Sequence, residues 1–292
     1  MQRCRQKNTR RRSSLEGDVV NQLTVNQLNL VSNTFSFSIG ALAVATAFFF
    51  LQRRDVAARY RHVVTILGLV TMVASYSYVR LLEKWNQAFS VVNGVVQSTG
   101  LAYDDSYRYA DWLLTVPLLL VAFVLSLDLP TKQARWRSII FALLAVDMIA
   151  TGYPGQIATT VDARWFWWAV SMLPYTLIIL QFYVGLAASI RRQPAQVRSL
   201  VVSARTLTVL VWCVYPVVYA LPLLDIGGTN AFIGIQIGYA AADVTAKAIY
   251  GLVLYMVVLR KSQLLEESIL PPSDTQLRPL RAKAGFGEVA AE

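Results

Sequence analysis

The chain has 292 residues, of which 55% are hydrophobic and only 15% charged. Soluble domains carry roughly 25% charged residues, so the composition argues against a water-soluble globular protein. The formal net charge of +10 reads as basic loops on a membrane surface, and nucleic acid is not expected as a partner.

Seven apolar segments follow in chain order, at about 28–51, 63–82, 107–127, 138–158, 164–190, 199–224 and 230–259. No Asp, Glu, Lys or Arg occurs from Thr34 to Leu51, from Trp165 to Ile190 or from Thr206 to Leu224. At about 1.5 Å per residue, each segment can cross a hydrocarbon core of about 30 Å. The expected fold is an all-α membrane protein, a seven-transmembrane-helix bundle over 28–262. A basic and polar segment, 1–27, precedes it. A polar tail, 263–292, carrying Pro271, Pro272 and Pro279, follows it and is expected to be disordered.

The connections alternate in charge. One set carries Arg53, Arg54, Arg59, Arg61, Lys132, Arg135, Arg137, Arg191, Arg192, Arg198, Arg260 and Lys261; the other carries mostly Asp104, Asp105, Asp162 and Asp225. The excess of Lys and Arg marks the cytoplasmic side, which puts the C-terminus inside and the N-terminus outside. The arginines at 3, 5, 10, 11 and 12 disagree with this orientation, and the later connections outvote them.

Two cysteines, Cys4 and Cys213, and a single histidine, His62, leave no basis for a disulfide framework, a zinc cluster or a histidine triad. No phosphate-binding glycine loop is present. The chemistry must lie in the few ionisable residues at membrane depth, which are functional candidates by default. These are Arg80, Arg108, Asp111, Asp147, Asp243 and Lys247, with Arg205 near a segment end. Asp243 and Lys247 are four apart and share a helix face, as do Asp111 and Thr115. Two carboxylates and two cations sum to zero, as a buried site requires. The residues alone leave two readings: a structural ion-pair network locking the third and seventh segments, or a site in which a mid-span lysine is converted to a Schiff base with a carbonyl ligand.

The third segment reads Arg108-Tyr109-Ala110-Asp111-Trp112-Leu113-Leu114-Thr115-Val116-Pro117, and the seventh reads Ala242-Asp243-Val244-Thr245-Ala246-Lys247. The sixth carries Trp212-Cys213-Val214-Tyr215-Pro216, and the fifth Arg164-Trp165-Phe166-Trp167-Trp168-Ala169-Val170-Ser171. Together these resemble the microbial (type 1) rhodopsins, above all the bacterial proteorhodopsin-like proton pumps, over all seven segments. The resemblance implies all-trans retinal held as a protonated Schiff base on Lys247. Asp111 then matches the primary counterion and proton acceptor, Asp243 the second counterion, Arg108 the arginine below them, and Thr115 the threonine that hydrogen-bonds the acceptor. Trp112, Leu119, Met148, Gly152, Trp168, Ser171, Trp212, Tyr215 and Pro216 match retinal contacts. Leu119 is the residue type of green-absorbing forms.

The resemblance also has gaps. The internal proton donor of typical proteorhodopsins, a carboxylate eleven residues after the acceptor, is replaced by Ala122, giving an Asp-Thr-Ala motif. Ser75 stands where many members have a histidine partner for the acceptor. Asp147 is expected to be a protonated structural acid near the ring end of the pocket. Chloride and sodium pumps of the family carry other residues at the diagnostic positions. Trp168 stands where carotenoid-binding members have a glycine, which argues against an antenna pigment.

The expected function is an outward light-driven proton pump with slow Schiff-base reprotonation, not an enzyme. The alternatives are a photosensor signalling through a transducer and, more remotely, a retinal-free transporter. Retinal, protons and the lipid bilayer are the expected partners. A homo-oligomer, trimer or pentamer, in a bacterial inner membrane completes the expectation.

Overall fold

The computed structural model describes residues 23–224, 226 and 228–269. Seven helical spans long and apolar enough to cross a membrane run over Val25–Asp55, Ala58–Ala88, Tyr107–Leu125, Thr131–Ile157, Val161–Gly185, Ala195–Leu224 and Thr229–Ser268. Each span packs against its chain neighbour, and the seventh returns to the first, so the spans close into a bundle. One end of the bundle carries Arg53, Arg59, Lys132, Arg191 and Arg192, and the other carries Asp104, Asp105 and Asp162. These are the basic and acidic ends below.

Local chemistry moved several expected boundaries. The first helix begins at Val25 because Thr24 and Gln27 form a reciprocal capping box. The fourth starts at Thr131, immediately after Pro130. Its first turns carry Lys132, Arg135 and Arg137, which form helix readily but lie outside the apolar pattern that defined the segment. The seventh helix continues to Ile269, seven residues into the tail expected to be disordered; 270–292 lie outside the described residues. So do 1–22, with Cys4 and the basic arginines, and Asp225 and Gly227.

The acidic end also holds an element that periodicity did not suggest. Strands β1 (Phe89–Val92) and β2 (Val95–Ser98) form an antiparallel hairpin. Asn93 and Gly94 have φ of 52° and 77°, the backbone that a two-residue hairpin turn requires.

Breaks in three spans mark places where regular hydrogen bonding yields. Pro216 has no N–H for the carbonyl of Trp212, four residues earlier, and the sixth helix is interrupted at Cys213. π-helical turns occupy Gln181–Gly185 and Thr245–Ile249. The second of these contains Lys247, consistent with the concentration of π-bulges at functional sites.

Candidate functional site: a buried lysine between two carboxylates

Four charged residues meet at the centre of the bundle. Arg108, Asp111, Asp243 and Lys247 are each at most 2% exposed. Lys247 Nζ donates to Asp111 Oδ2 and to Asp243 Oδ1, both at 2.7 Å. The charges sum to zero, which a low-dielectric interior tolerates when the partners are also hydrogen-bonded.

The two carboxylates are held differently. Asp243 accepts three further bonds, from Trp112 Nε1 at 2.9 Å, the Tyr215 hydroxyl at 2.8 Å and the Tyr78 hydroxyl at 2.8 Å. Asp111 Oδ1 is buried and has no protein partner. Asp243 is therefore the more firmly held of the two, and Asp111 the one with an oxygen open to a further partner.

Arg108 does not touch Asp111. It donates to Gln236 Oε1 at 2.8 Å and to the Tyr78 hydroxyl at 3.2 Å, so Tyr78 links it to Asp243. Its guanidinium also lies over the rings of Tyr239 and Phe35, 5.3 and 5.5 Å from their centroids. Thr115 bonds the expected acceptor, but through the backbone: its hydroxyl donates to the Asp111 carbonyl at 2.8 Å, four residues back on the same helix. Ser75 donates to the Ile39 carbonyl, so it takes no part in the site.

A cavity opens beside Lys247. Its lining includes all nine expected contact residues: Trp112, Leu119, Met148, Gly152, Trp168, Ser171, Trp212, Tyr215 and Pro216. Trp168 Nε1 donates to the Pro216 carbonyl, and Ser171 Oγ to the Met148 carbonyl, which ties the fifth span to the sixth and the fourth. Tyr109, Val116, Met172, Tyr175, Tyr219 and Tyr239 also line it and were not anticipated. Neither were Tyr78 and Gln236. Gln236 had a readable signal, since it lies seven residues before Asp243 and so on the same helix face.

Asp147 departs from expectation. It is exposed on the outer face of the bundle, while Met148 lines the cavity. Neighbouring helix residues point about 100° apart, so the two cannot share an environment. Arg80 and Arg205 also lie outside the site. Arg80 pairs with Glu83, and Arg205 sits 4.3 Å over the Tyr183 ring.

The lining fits a long apolar ligand carrying one carbonyl. Aromatic and aliphatic side chains supply nearly all the surface, and Lys247 is the one amine on it, suited to an imine bond with that carbonyl. The neutral charge count is kept when such a nitrogen stays protonated.

Comparisons with known proteins agree with this site. Residues 29–260 match the family model described as "Bacteriorhodopsin-like protein". A green-light absorbing proteorhodopsin from Gamma-proteobacterium EBAC31A08 is 30% identical over 236 residues, 78% of this chain and 86% of that protein. Archaerhodopsin-2 from Halobacterium sp. (strain aus-2) is 31% identical over 248 residues, 82% of this chain and 88% of that protein. The crystal structure of xanthorhodopsin, described as a light-driven ion pump with dual chromophore, superimposes with a TM-score of 0.81 at 36% identity, covering 85% of this chain and 98% of that one. The chain belongs to the bacteriorhodopsin-like family. It is a type 1 microbial rhodopsin and an integral membrane protein, of a family whose members bind retinal through a lysine Schiff base.

Proposed function

We propose that this rhodopsin is an outward light-driven proton pump with slow proton uptake, carrying all-trans retinal on Lys247. The observation that supports it best is the unequal pair of carboxylates on one lysine nitrogen. Retinal bound there as a protonated imine would supply light absorption and an isomerisation that alters the proton affinity of the Lys247 nitrogen. Asp111, 2.7 Å from that nitrogen and with one oxygen unpartnered, takes the released proton. Asp243, with its three other donors, remains charged and holds the local field. Arg108 and Tyr78 lie on the acidic side of Asp111, so that is the direction in which the proton leaves.

The positive-inside bias makes the basic end cytoplasmic. On that side Ala122, Phe123, Val124, Leu254, Val257 and Val258 are all 0% exposed. Ala122 offers no acid, and a charge crossing such packing is costly. Return of a proton to Lys247 is therefore the slow step. A glutamate at 122 would shorten the passage: Ala122→Glu should speed the decay of the deprotonated state and weaken its dependence on pH. The indole of Trp168 lines the cavity and is anchored to Pro216, which favours a single chromophore over the two described for xanthorhodopsin.

The deciding experiment is light-induced pH change in an unbuffered suspension of cells making the pigment. Sustained acidification, abolished by a protonophore, is the expected result. A flat trace from visibly pigmented cells overturns the pump reading and leaves the photosensor. Absence of any pigment with added retinal overturns the cofactor.

A further inference from the structure

A second cavity lies among the acidic ends of the third to seventh spans. Four charged or amide side chains, Asp105, Arg164, Gln156 and Gln236, line it among apolar and aromatic ones. Asp105 is the one carboxylate lining it. Gln236 joins it to the charged centre, because this residue lines the space and its Oε1 accepts from Arg108 at 2.8 Å and from the Tyr103 hydroxyl at 3.3 Å. Tyr219 and Tyr239 line both cavities and form the wall between them. Asp105 sits just before the third helix, six residues and so about 9 Å along the axis from Asp111. It accepts from Gln156 Nε2 at 3.2 Å and is only partly buried, so it touches both the cavity and the outside.

We propose, resting on the pump reading, that Asp105 is the exit carboxylate through which the transported proton leaves the protein. The Asp111 carboxyl gives up its proton to a water beside it. Water-to-water transfer past Arg108 and Gln236 carries it to water in the second cavity, whose polar groups can hold it. The Asp105 carboxylate takes the proton from that water, forming an O–H bond, and then releases it to the outer solution. Each transfer breaks one O–H bond and makes another, so the balance needs no other reactant. Arg164 lines the same space. Gln156 holds it in place.

Asp105→Asn separates this role from a structural one. The amide oxygen still accepts from Gln156 Nε2, but the side chain cannot carry the proton. Two signals are read after a flash on purified pigment in vesicles: a pH-indicator dye in the medium, and the infrared band of protonated Asp111. In Asp105→Asn the dye signal should slow by about a hundredfold, the lower end of the range for a lost acid–base group, and the Asp111 band should persist correspondingly. Asp105→Glu should restore near wild-type timing. Asp104→Asn, at an exposed neighbour that caps the Ser106 N–H, should change nothing. Wild-type timing in Asp105→Asn overturns the assignment and leaves the pump intact. Equal slowing in the Asn and Glu variants overturns it in favour of cavity shape alone. If the wild type itself releases no protons, the pump reading has failed and the exit carboxylate fails with it.

Discussion

Replacing Lys247 by methionine in protein made without retinal tests the charge arrangement directly. Lys247 is 1% exposed and is the shared cation of two carboxylates at 2.7 Å. Removing one partner of a buried ion pair costs about 3–5 kcal/mol, because the charge left behind is uncompensated. The loss does not fall equally. Asp243 keeps its bonds from Trp112, Tyr215 and Tyr78, whereas Asp111 keeps no side-chain donor. Most of the penalty therefore belongs to Asp111, and adding Asp111→Asn to Lys247→Met should recover about 2 kcal/mol, within the range of coupling between contacting residues. Adding Asp243→Asn should recover nothing, since the new amide N–H₂ would replace an oxygen that accepts from at least one of these donors. Thermal unfolding in detergent reads this out. At roughly 2–4 °C per kcal/mol, the single variant should melt about 10 °C below wild type and Lys247→Met/Asp111→Asn about 6 °C above the single variant. Recovery by Asp243→Asn instead, or additive effects of the two substitutions, would refute the assignment of Asp111 as the weakly held carboxylate.

Asp111→Asn in the pigment should shift the visible band to longer wavelength and stop transport, and acidification should shift the wild-type band in the same direction; normal pumping by the variant would count against Asp111 as acceptor. Leu119 is 2% exposed and lines the large cavity, so Leu119→Gln should shift the band to shorter wavelength by stabilising the ground-state charge, and an absorption spectrum showing no shift or a red shift would contradict that placement. At Gly251 a Cβ would lie 2.7 Å from Phe49 Cζ, on a ring that is itself fully buried. Gly251→Ala should therefore lose about 1–3 kcal/mol through overpacking, and an unchanged thermal midpoint would show that the first and seventh spans can part at no cost.

The spans and the residues of the charged centre were legible because a membrane imposes simple rules. An apolar run must be long enough to cross, and an ionisable residue within one must have a partner. Lys247, Asp243 and Asp111 stand out on those rules alone. Other features depend on direction, which an apolar segment encodes weakly. Met148 and Asp147 are adjacent, yet one lines the cavity and the other faces outward. With apolar residues on every side of the fourth span, no stripe distinguished its inner face. Tyr78 and Gln236 were missed because uncharged polar groups do not interrupt hydropathy, although a buried tyrosine hydroxyl must find a partner. The hairpin carries a readable signal, since Val91-Val92-Asn93-Gly94-Val95-Val96 is a strong short-range turn pattern, but a search for long apolar spans passes over it.

The two ends of the bundle are built for different tasks. From Asp111 toward the acidic end, polar groups follow one another through Tyr78, Arg108 and Gln236 to a cavity bearing Asp105. Toward the basic end the packing is apolar and closed by a clamp. Lys261, 5% exposed, donates to the Ser126 carbonyl at 2.5 Å and to Asp128 at 2.7 Å. Asp128 also accepts from Arg59 at 2.5 Å and from the Tyr60 hydroxyl at 2.8 Å. These bonds join the second, third and seventh spans where they leave the core, one turn beyond Ala122. Such a clamp opposes the opening that would admit water to the apolar passage, because breaking it strands a buried ammonium without its carboxylate. On the proposed pump reading the same sealing gives transport its direction. With the basic half dry, a proton taken up by Asp111 would have a polar route toward the acidic end only, and would leave before the other half could return one to Lys247.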